Sequence, residues 1–320
     1  MADYPFSAGA QASVKASELV VSVFDQVDAA FFDVIYPEIL WKDQLPEGSV
    51  KTDINPGAMN YVYRSRDVKG MGQFVLGDTS NIPRVGQVVG QVSVPILDAA
   101  VAATLTDAEA RRYAYGYQSA LAQDFGEIMR KAVDYHVERV FFFGDVQAGF
   151  ESYLDYSALP VIPADDTFAN TDPEAWVSML NGALTTIWEN SKTVHMPDTI
   201  QLPISQFSMM QAAYVIGGGG GVGVAVSALE YLKKNNIYTA MTGKELKIEP
   251  LRYLAGAGVG NVDRAIIKQS DPRNFVMPFP MPYQLSQPVP IALGVDMFAE
   301  YIFGSFNVRY LGSMAYLDGI

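Results

Sequence analysis

The stretches of sequence that decide the fold are NYVYRSRDVK, residues 60–69, and VVGQVSVPI, residues 88–96. In the first, aromatic and hydroxyl side chains at 61, 63 and 65 alternate with valine and arginine at 62, 64 and 66, a period of two that is typical of a β-strand. Residues 67–86 contain residues typical of turns: Gly70, Gly72, Gly77, Asn81 and Pro83. We therefore predict a long β-hairpin, and because an isolated hairpin is marginally stable in water, we expect it to lie on another surface.

The longest helical segment follows this hairpin. Thr106 and Glu109 have the spacing of a capping box, and an apolar stripe then runs at helical spacing from residue 121 to a stop at Gly144. A continuous helix here would be roughly 50 Å long at about 1.5 Å per residue. Gly116 and Gly126 fall inside it, and we expect either to break or bend it, since glycine costs about 1 kcal/mol relative to alanine in a helix.

The other predicted elements flank this hairpin and helix. Residues 1–16 form a small polar arm, and residues 19–31 have the apolar spacing of an amphipathic helix. The later predicted elements are a helix capped by Thr171 and Glu174 with Pro173 in its first turn, a strand at 199–202, a helix at 228–235 capped by Ser227, and strands at 265–268, 274–280, 289–295 and 307–316.

Composition indicates a structural subunit. The chain has 320 residues, no cysteine, and two histidines, which excludes disulfide scaffolds, thiolate metal sites, thiol nucleophiles and histidine-rich metal cages. Lysine and arginine number 22 against 35 acidic residues, a net charge of −13, so a nucleic-acid-binding face is not expected. Only 18% of residues are charged while 49% are hydrophobic, which favours an obligate assembly. No targeting or membrane-spanning segment is expected.

Four patterns suggest chemistry, and each has a simpler explanation. The glycine run at 217–223 lies too far from the helix that Ser227 caps to form a phosphate-binding loop, so a loop is favoured. The acidic stretch 165–174 has oxygen ligands for a hard cation but lacks EF-hand spacing. His195 and Asp198 have no serine elbow to complete a triad, and His136 is expected to be a hydrogen-bonded core residue.

The fourth pattern is the pairs of carboxylates on the long helix. Asp124 with Glu127, and Asp134 with Glu138, repel each other in isolation and are expected on a solvated or inter-subunit face. We therefore predict no catalytic residue, no cofactor and no metal.

The order of elements, together with several local motifs, resembles the major capsid proteins of tailed bacteriophages, which have the Hong Kong 97-type fold. The motifs extend over about residues 30–320. They are Tyr36-Pro-Glu38, Tyr61-Val-Tyr-Arg64, Ile82-Pro-Arg-Val85, Phe142-Phe-Gly-Asp145, Met277-Pro-Phe-Pro-Met-Pro-Tyr283, Gln287-Pro288, Val308-Arg-Tyr310 and Met314-Ala-Tyr-Leu-Asp-Gly-Ile320.

This resemblance implies an α+β fold divided as in that family. The expected regions are an N-terminal arm and helix at 1–57, the extended hairpin (E-loop) at 58–97, a peripheral (P) domain with a long spine helix at 98–160, an axial (A) domain at 161–262, and a β-rich return to the P domain at 263–320.

The resemblance also implies a function in assembly. Copies would form the hexamers and pentamers of an icosahedral shell around double-stranded DNA, which an acidic chain would hold without specific binding. The hairpin residues Arg64, Arg66, Lys69 and Arg84 would contact a neighbouring subunit, and Gly116 and Gly126 would be hinges during particle expansion. Some relatives crosslink a hairpin lysine to a neighbouring asparagine, but we expect no such link from Lys69.

Further partners follow from the same resemblance. A separate scaffolding protein and a portal are expected, with assembly in the host cytoplasm and a final place in the virion, and the resemblance leaves open whether a decoration protein binds the shell. Two alternatives stay open at this point: an encapsulin-type nanocompartment shell, and an α/β nucleotide-binding enzyme that uses the glycine run.

Overall fold

The fold is described from a computed structural model, which describes residues 37–71, 84–116, 121–216 and 225–320, with backbone alone at 112–116, 121–124, 216 and 225. The chain divides into two units, Met1–Ile39 and Leu40–Ile320, and every element below belongs to the second. The arm predicted at 1–16, the helix at 19–31, the hairpin end at 72–83 and the glycine run at 217–223 lie outside the described residues.

The described residues form seven α-helices and fifteen strands, and the last eight strands follow the last α-helix. The helices are α1 (Trp41–Gln44), α2 (Asp107–Gly116), α3 (Leu121–Phe143), α4 (Pro173–Asn190), α5 (Ile204–Ala212), α6 (Ala228–Lys234) and α7 (Ile237–Thr242). The strands are β1 (Val50–Lys51), β2 (Asn60–Lys69), β3 (Gly86–Thr106), β4 (Val161–Pro163), β5 (Thr199–Leu202), β6 (Tyr214–Ile216), β7 (Ala225–Ser227), β8 (Lys247–Pro250), β9 (Arg264–Lys268), β10 (Phe275–Pro278), β11 (Met281–Leu285), β12 (Val289–Ile291), β13 (Gly294–Gly304), β14 (Asn307–Val308) and β15 (Met314–Asp318).

The predicted hairpin is confirmed, and its second strand is longer than the sequence indicates. β2 pairs with β3 from Asn60 opposite Pro95 to Lys69 opposite Gly86. β3 then continues to Thr106 and pairs antiparallel with β13 along 96–106, in a sheet of order β11-β13-β3-β2. Residues 97–105 contain four alanines, a residue that favours helices and is depleted in strands, so it is the pairing with β13 that makes them a strand.

In the described residues, the long helical segment comprises α2 and α3. The capping box begins α2 as predicted: the Glu109 N–H donates to Thr106 Oγ1 at 3.2 Å, and the Thr106 N–H donates to Glu109 Oε2 at 3.0 Å. Gly116 is the last residue of α2, while Gly126 lies within α3. None of the described helices is both long enough and apolar enough to cross a membrane.

α3 packs on one face of the β3 sheet. Buried Met129 contacts Met297 and Ala299 of β13, with residues of β3 at the edge of the cluster. The Tyr283 hydroxyl also donates to the Gly126 carbonyl at 3.1 Å, which fixes β11 to the helix.

The larger of the two described hydrophobic clusters lies in a second, mixed sheet of order β4-β15-β9-β5-β8, covered by α4, α5 and α6. Two of its three interior strands, β15 and β9, come from the C-terminal region predicted to be β-rich, and every side chain of both is buried. Residues 161–250 and 264–318 therefore build this sheet together.

Three local predictions are wrong. The predicted strand 289–295 is two strands, β12 and β13, joined by a turn, and 307–316 contains β14, a 3-10 turn at Leu311–Ser313 and the start of β15. Thr171 does not cap α4: Asp172 is the N-cap without a side-chain hydrogen bond, and the Thr171 hydroxyl donates to the Thr167 carbonyl instead. A threonine hydroxyl can hydrogen-bond to a nearby backbone carbonyl instead of capping the helix.

A buried ion pair joins the ends of β9 and β15. Arg264 is fully buried, and its Nε and Nη2 donate to the two carboxylate oxygens of Asp318 at 2.6 and 2.8 Å. Its Nη1 donates to the Leu154 carbonyl at 2.6 Å, and the guanidinium lies 4.4 Å from the Tyr316 ring centre. The second sheet is thereby fixed to the chain segment that leaves α3.

We expect Asp318→Asn to lower the free energy of unfolding by about 3–5 kcal/mol, since it removes the bidentate counter-ion of buried Arg264 and leaves only the solvent-exposed carboxylate of Asp155, 3.1 Å from Arg264 Nη1. Asp271→Asn is the matched control, because its partner Arg273 is 83% exposed and solvent screens such a pair, so a much smaller loss is expected. Urea denaturation of the unassembled subunit measures both changes, and equal losses would contradict a structural role for the buried pair.

Candidate assembly interface

The base of the hairpin is fixed by tyrosines that contact the C-terminal strands. The Tyr63 hydroxyl donates to Asn307 Oδ1 at 2.6 Å, and Arg309 Nη2 donates to the Tyr61 hydroxyl at 3.1 Å. The Arg309 guanidinium also lies 5.3 Å from the Tyr63 ring centre, and burial raises the Tyr63 pKa. The hairpin therefore leaves the body at a defined position.

Beyond this base, the hairpin is a two-stranded ribbon, defined here as residues 64–71 with 84–91. Nearly all of its residues are exposed, on both faces. Its valines are among the exposed large hydrophobic residues: Val68 is 67% exposed and Val89 is 56% exposed. Apolar side chains in a two-stranded ribbon indicate a surface that another molecule covers.

The four predicted contact residues all lie on this ribbon and are all exposed. Arg64 and Arg66 pair with Gln91 and Val89, so they share one face, while Lys69 points to the opposite face and Arg84 precedes β3. In the part of the chain that the structure describes, none of the four forms an ion pair. The ribbon is thus a basic projection from an acidic chain.

The predicted hinge residues lie at different places along the helical segment. Gly116 ends α2 and Gly126 lies in the second turn of α3. A Cβ added at Gly126 would meet nothing within 4 Å, so packing does not require glycine there. Whether either residue is a hinge stays a prediction.

The expected exposure of Glu138 on α3 is wrong. Its carboxylate is 3% exposed and accepts three hydrogen bonds, from the Leu40 N–H at 3.0 Å, Arg252 Nη2 at 2.6 Å and the Tyr253 hydroxyl at 2.7 Å. Burial and the bond to Glu138 raise the Tyr253 pKa to about 12. The sequence offers only a weak signal for this site, the adjacent Arg252 and Tyr253 in an otherwise apolar stretch.

The histidines are structural in the described chain. His136 Nδ1 lies 2.6 Å from the Tyr301 hydroxyl and its ring packs on Phe303, and burial together with the charge of Arg139 lowers its pKa. This confirms the expected core histidine. His195 Nδ1 lies 2.8 Å from Gln269 Oε1 rather than from Asp198.

The two carboxylate patterns also have structural roles. Asp198 accepts from the Ser270 N–H and the Thr199 hydroxyl, both at 2.8 Å. In the acidic stretch, Asp166 accepts from the Thr167 N–H and from the Asn170 amide, which is turn chemistry. Among the described residues no group of three or more acidic or histidine side chains is placed to hold a metal ion.

A second buried cation, Lys268, was not predicted. Its Nζ donates to the Gln44 carbonyl at 2.6 Å and to the Tyr153 hydroxyl at 2.8 Å, and the Tyr153 hydroxyl donates to Gln201 Oε1 at 2.7 Å. Burial lowers the Lys268 pKa to about 7. The signal in the sequence is the strand RAIIK, in which two basic residues flank a fully apolar centre.

The sequence model of the family described as major capsid protein matches residues 70–320 of the chain. No curated protein sequence matches the chain.

Solved structures show the same fold. A structure titled as the capsid of Myoviridae phage XM1 has a TM-score of 0.75 at 14% identity, over 92% of this chain and 97% of that one. The capsid of a native GTA particle has a TM-score of 0.59 at 9% identity, over 97% and 99%. A structure titled Gordonia phage Cozz has a TM-score of 0.56 at 12% identity, over 92% and 90%.

The buried lysine makes subunit stability depend on pH. The Lys268 pKa is about 7 in the folded chain and near the ordinary 10.5 in the unfolded one, so between these values the unfolded chain binds more protons and stability rises with pH. We expect the unfolding free energy of the wild type, minus that of Lys268→Met, to rise from pH 7 to 9 by up to about 1.4 kcal/mol per pH unit.

Exposed Lys244 supplies the control for this measurement, because Lys244→Met removes the same charge from solvent and should leave the slope between pH 7 and 9 unchanged. Urea titrations at three pH values in this range measure the slopes. If Lys268→Met showed the same dependence of unfolding free energy on pH as the wild type, Lys268 would not be the source of that dependence.

Proposed function

This chain belongs to the major capsid protein family of tailed bacteriophages, and we propose that its copies form the hexamers and pentamers of an icosahedral shell around the phage genome. It is a structural protein of the virion and not an enzyme. The observation that carries the proposal is the ribbon, a basic and partly apolar projection that the described part of its own chain leaves uncovered. Neighbouring copies in a shell would cover it.

In this proposal Arg64, Arg66, Lys69 and Arg84 contact an adjacent subunit. Their charges are opposite in sign to the net charge of −13 of the chain, which favours attraction to another copy. Pairs that become buried at the contact would matter most, because ion pairs at the rim of an interface contribute less than about 1 kcal/mol. The arm at 1–16 is proposed to hold a neighbour as well.

The regional division follows the family. We propose the E-loop at 58–97, the P domain at 98–160, the A domain at 161–262 and the return to the P domain at 263–320. The mixed sheet supports a close link between the last two regions, since β9 and β15 pair with strands of the 161–262 segment. Convergence of A domains at the centre of each capsomer is part of the same proposal.

Other partners would act at separate stages. We propose a separate scaffolding protein during assembly in the host cytoplasm, a portal through which double-stranded DNA enters, and a decoration protein on the finished shell. The acidic net charge suits a container that holds DNA without specific binding.

Microscopy tests the proposed function directly. We expect the expressed and concentrated protein to form closed shells, visible by negative-stain electron microscopy, and shells from infected cells to contain DNA. A protein that stays monomeric or in small oligomers at high concentration would contradict the proposal. Shells that enclose proteins and no DNA would instead favour an encapsulin-type compartment.

We also propose that Gly126 is a hinge that lets α3 bend during particle expansion. A Cβ at this position has free space, and alanine is the better helix former by about 0.5–1 kcal/mol, so glycine here lowers the stability of the helix without a packing reason. Retaining a flexible residue in a helix on which a sheet packs is consistent with a bending role.

Gly126→Ala should stabilise the unassembled subunit by about 0.5–1 kcal/mol and slow the expansion of assembled particles. Gly182→Ala in α4 is the matched control, since its Cβ also meets nothing within 4 Å. It should give a similar stabilisation and leave expansion unchanged. Urea denaturation measures the first effect and sedimentation of particles the second; equal expansion rates for the two variants would refute the hinge.

A further inference from the structure

Residues 40–51, which contain α1 and β1, open the second unit of the chain, and we call them the strap. The strap connects residues 1–39 to the hairpin. Its helix α1 has four residues and no side-chain cap hydrogen bond. A single helical turn is not stable on its own in water, so α1 depends on what the strap contacts.

Two buried charged side chains bind the ends of α1 through backbone atoms. At its start, the Leu40 N–H donates to Glu138 Oε2 at 3.0 Å, and at its last residue the Gln44 carbonyl accepts from Lys268 Nζ at 2.6 Å. An anion at the start of a helix and a cation at its end both interact favourably with the helix dipole. The two charges therefore favour the closed position of the strap.

The two ends differ in how the buried charge is balanced. The Glu138 carboxylate has the Arg252 guanidinium at 2.6 Å as a counter-ion. Lys268 is 3% exposed, and its two acceptors among the described residues, the Gln44 carbonyl and the Tyr153 hydroxyl, are both neutral. A buried cation without a counter-ion costs free energy, and α1 is one of the elements that keep water from it.

The groups around Lys268 do not compensate for its burial. Burial is the largest influence on this lysine and lowers its pKa to about 7, while the carboxylates of Glu249 and Asp198 act in the opposite direction and the ammonium of Lys247 adds to the lowering. Burial also raises the pKa of Tyr153 well above its ordinary value, so this hydroxyl stays neutral.

The remaining elements against Lys268 add no charge. Its paired residues on the two adjacent strands are Thr199 and Met314. The charged side chains of α1, Lys42 and Asp43, are both exposed. Lys268 is thus the group whose protonation changes when α1 moves away and water reaches it.

The strap has further costs in its closed position. Trp41 Nε1 and Ser49 Oγ are buried and have no hydrogen-bond partner among the described residues. A buried polar group without a partner costs free energy, which offsets part of the packing of the Trp41 ring against Phe141 and Phe279 at 6.4 and 6.0 Å between centres. A segment with such costs opens at a lower free energy than the core of a sheet.

We propose that the strap is a pH-sensitive device that opens as the pH falls from 9 to 7, while the sheets of the body stay paired. In the open form Lys268 is in water and has its ordinary pKa of 10.5, against about 7 in the closed form. Between these values the open form binds more protons, so a lower pH favours opening.

Opening changes the reach of the chain that precedes the strap. A fully extended strap spans at most roughly 40 Å, and this length is added to the connection between residues 1–39 and the hairpin. The pH therefore sets how far the first 39 residues can extend. The device lies within one subunit, so it does not depend on the proposed function.

Hydrogen exchange of the unassembled full-length chain tests the strap. The Asp43 and Leu45 N–H groups donate to carbonyls within the strap and exchange when it opens. From pH 7 to 9 the two pKa values lower the opening constant about 50-fold. The intrinsic rate, which hydroxide catalyses, rises about 100-fold, so where reclosing is faster than exchange the observed rate should rise only about twofold.

Two variants and an internal reference complete the measurement. Lys268→Met removes the titrating group, so exchange of the strap should rise about 100-fold from pH 7 to 9. Lys244→Met removes an exposed lysine and should keep the twofold rise. Helix α7 has no buried residue, so its opening does not expose Lys268, and its amides should show the rise of about 100-fold in every sample.

Two results would overturn the proposal. Wild-type exchange of the strap that is no faster than that of β9 would mean that the strap opens only when the whole body unfolds. A wild-type rise as large as that of α7 would mean that Lys268 stays covered when the strap opens. If Lys268→Met does not fold, the comparison of the strap with α7 and β9 in the wild type still decides between these outcomes.

Discussion

One strand, β3, holds the ribbon and the helix-bearing sheet in a continuous hydrogen-bonded ladder. Its first half pairs with β2 and its second half with β13, without a break in the strand between them. A ladder of this length resists bending more than a loop would, so the ribbon keeps its direction relative to α3. A displacement of either α3 or the ribbon is therefore expected to move the other.

Buried polar groups fix the second sheet to this unit. Glu138 binds the segment at Arg252 and Tyr253, while Arg264 and Lys268 reach the chain between α3 and β4 at Leu154 and Tyr153. Burying such groups costs free energy, so their net contribution to stability is small. They favour one relative placement of the two sheets, because any other placement would leave a buried charge without its partner. A shell subunit that must meet its neighbours at fixed positions has use for that selectivity.

Local signals in the sequence predicted the elements whose cause is local. The β2 alternation, the Thr106–Glu109 capping box and the Ser227 cap all appear in the structure, since each depends on residues a few positions apart. The extension of β3 through residues 97–105, the burial of Glu138 and the Lys268 site could not be predicted, because each depends on a partner that is distant in the sequence. Glu138 binds Leu40, 98 positions away, and Lys268 binds Gln44, 224 positions away. The second half of β3 pairs with β13, which follows much later in the chain.

The sequence by itself determined the class of this protein: an acidic, cysteine-free chain, low in charge, with a projecting hairpin and the order of elements of a capsid subunit. Only the tertiary structure decided which faces are available for assembly. Arg64 and Arg66 could be named from the sequence, but Asp98, Asp296 and Glu300 lie on one side of a sheet only once β13 pairs with β3. The physical reason is that a sheet face is made by register between distant strands, and register is fixed by the pairing and packing of the whole fold.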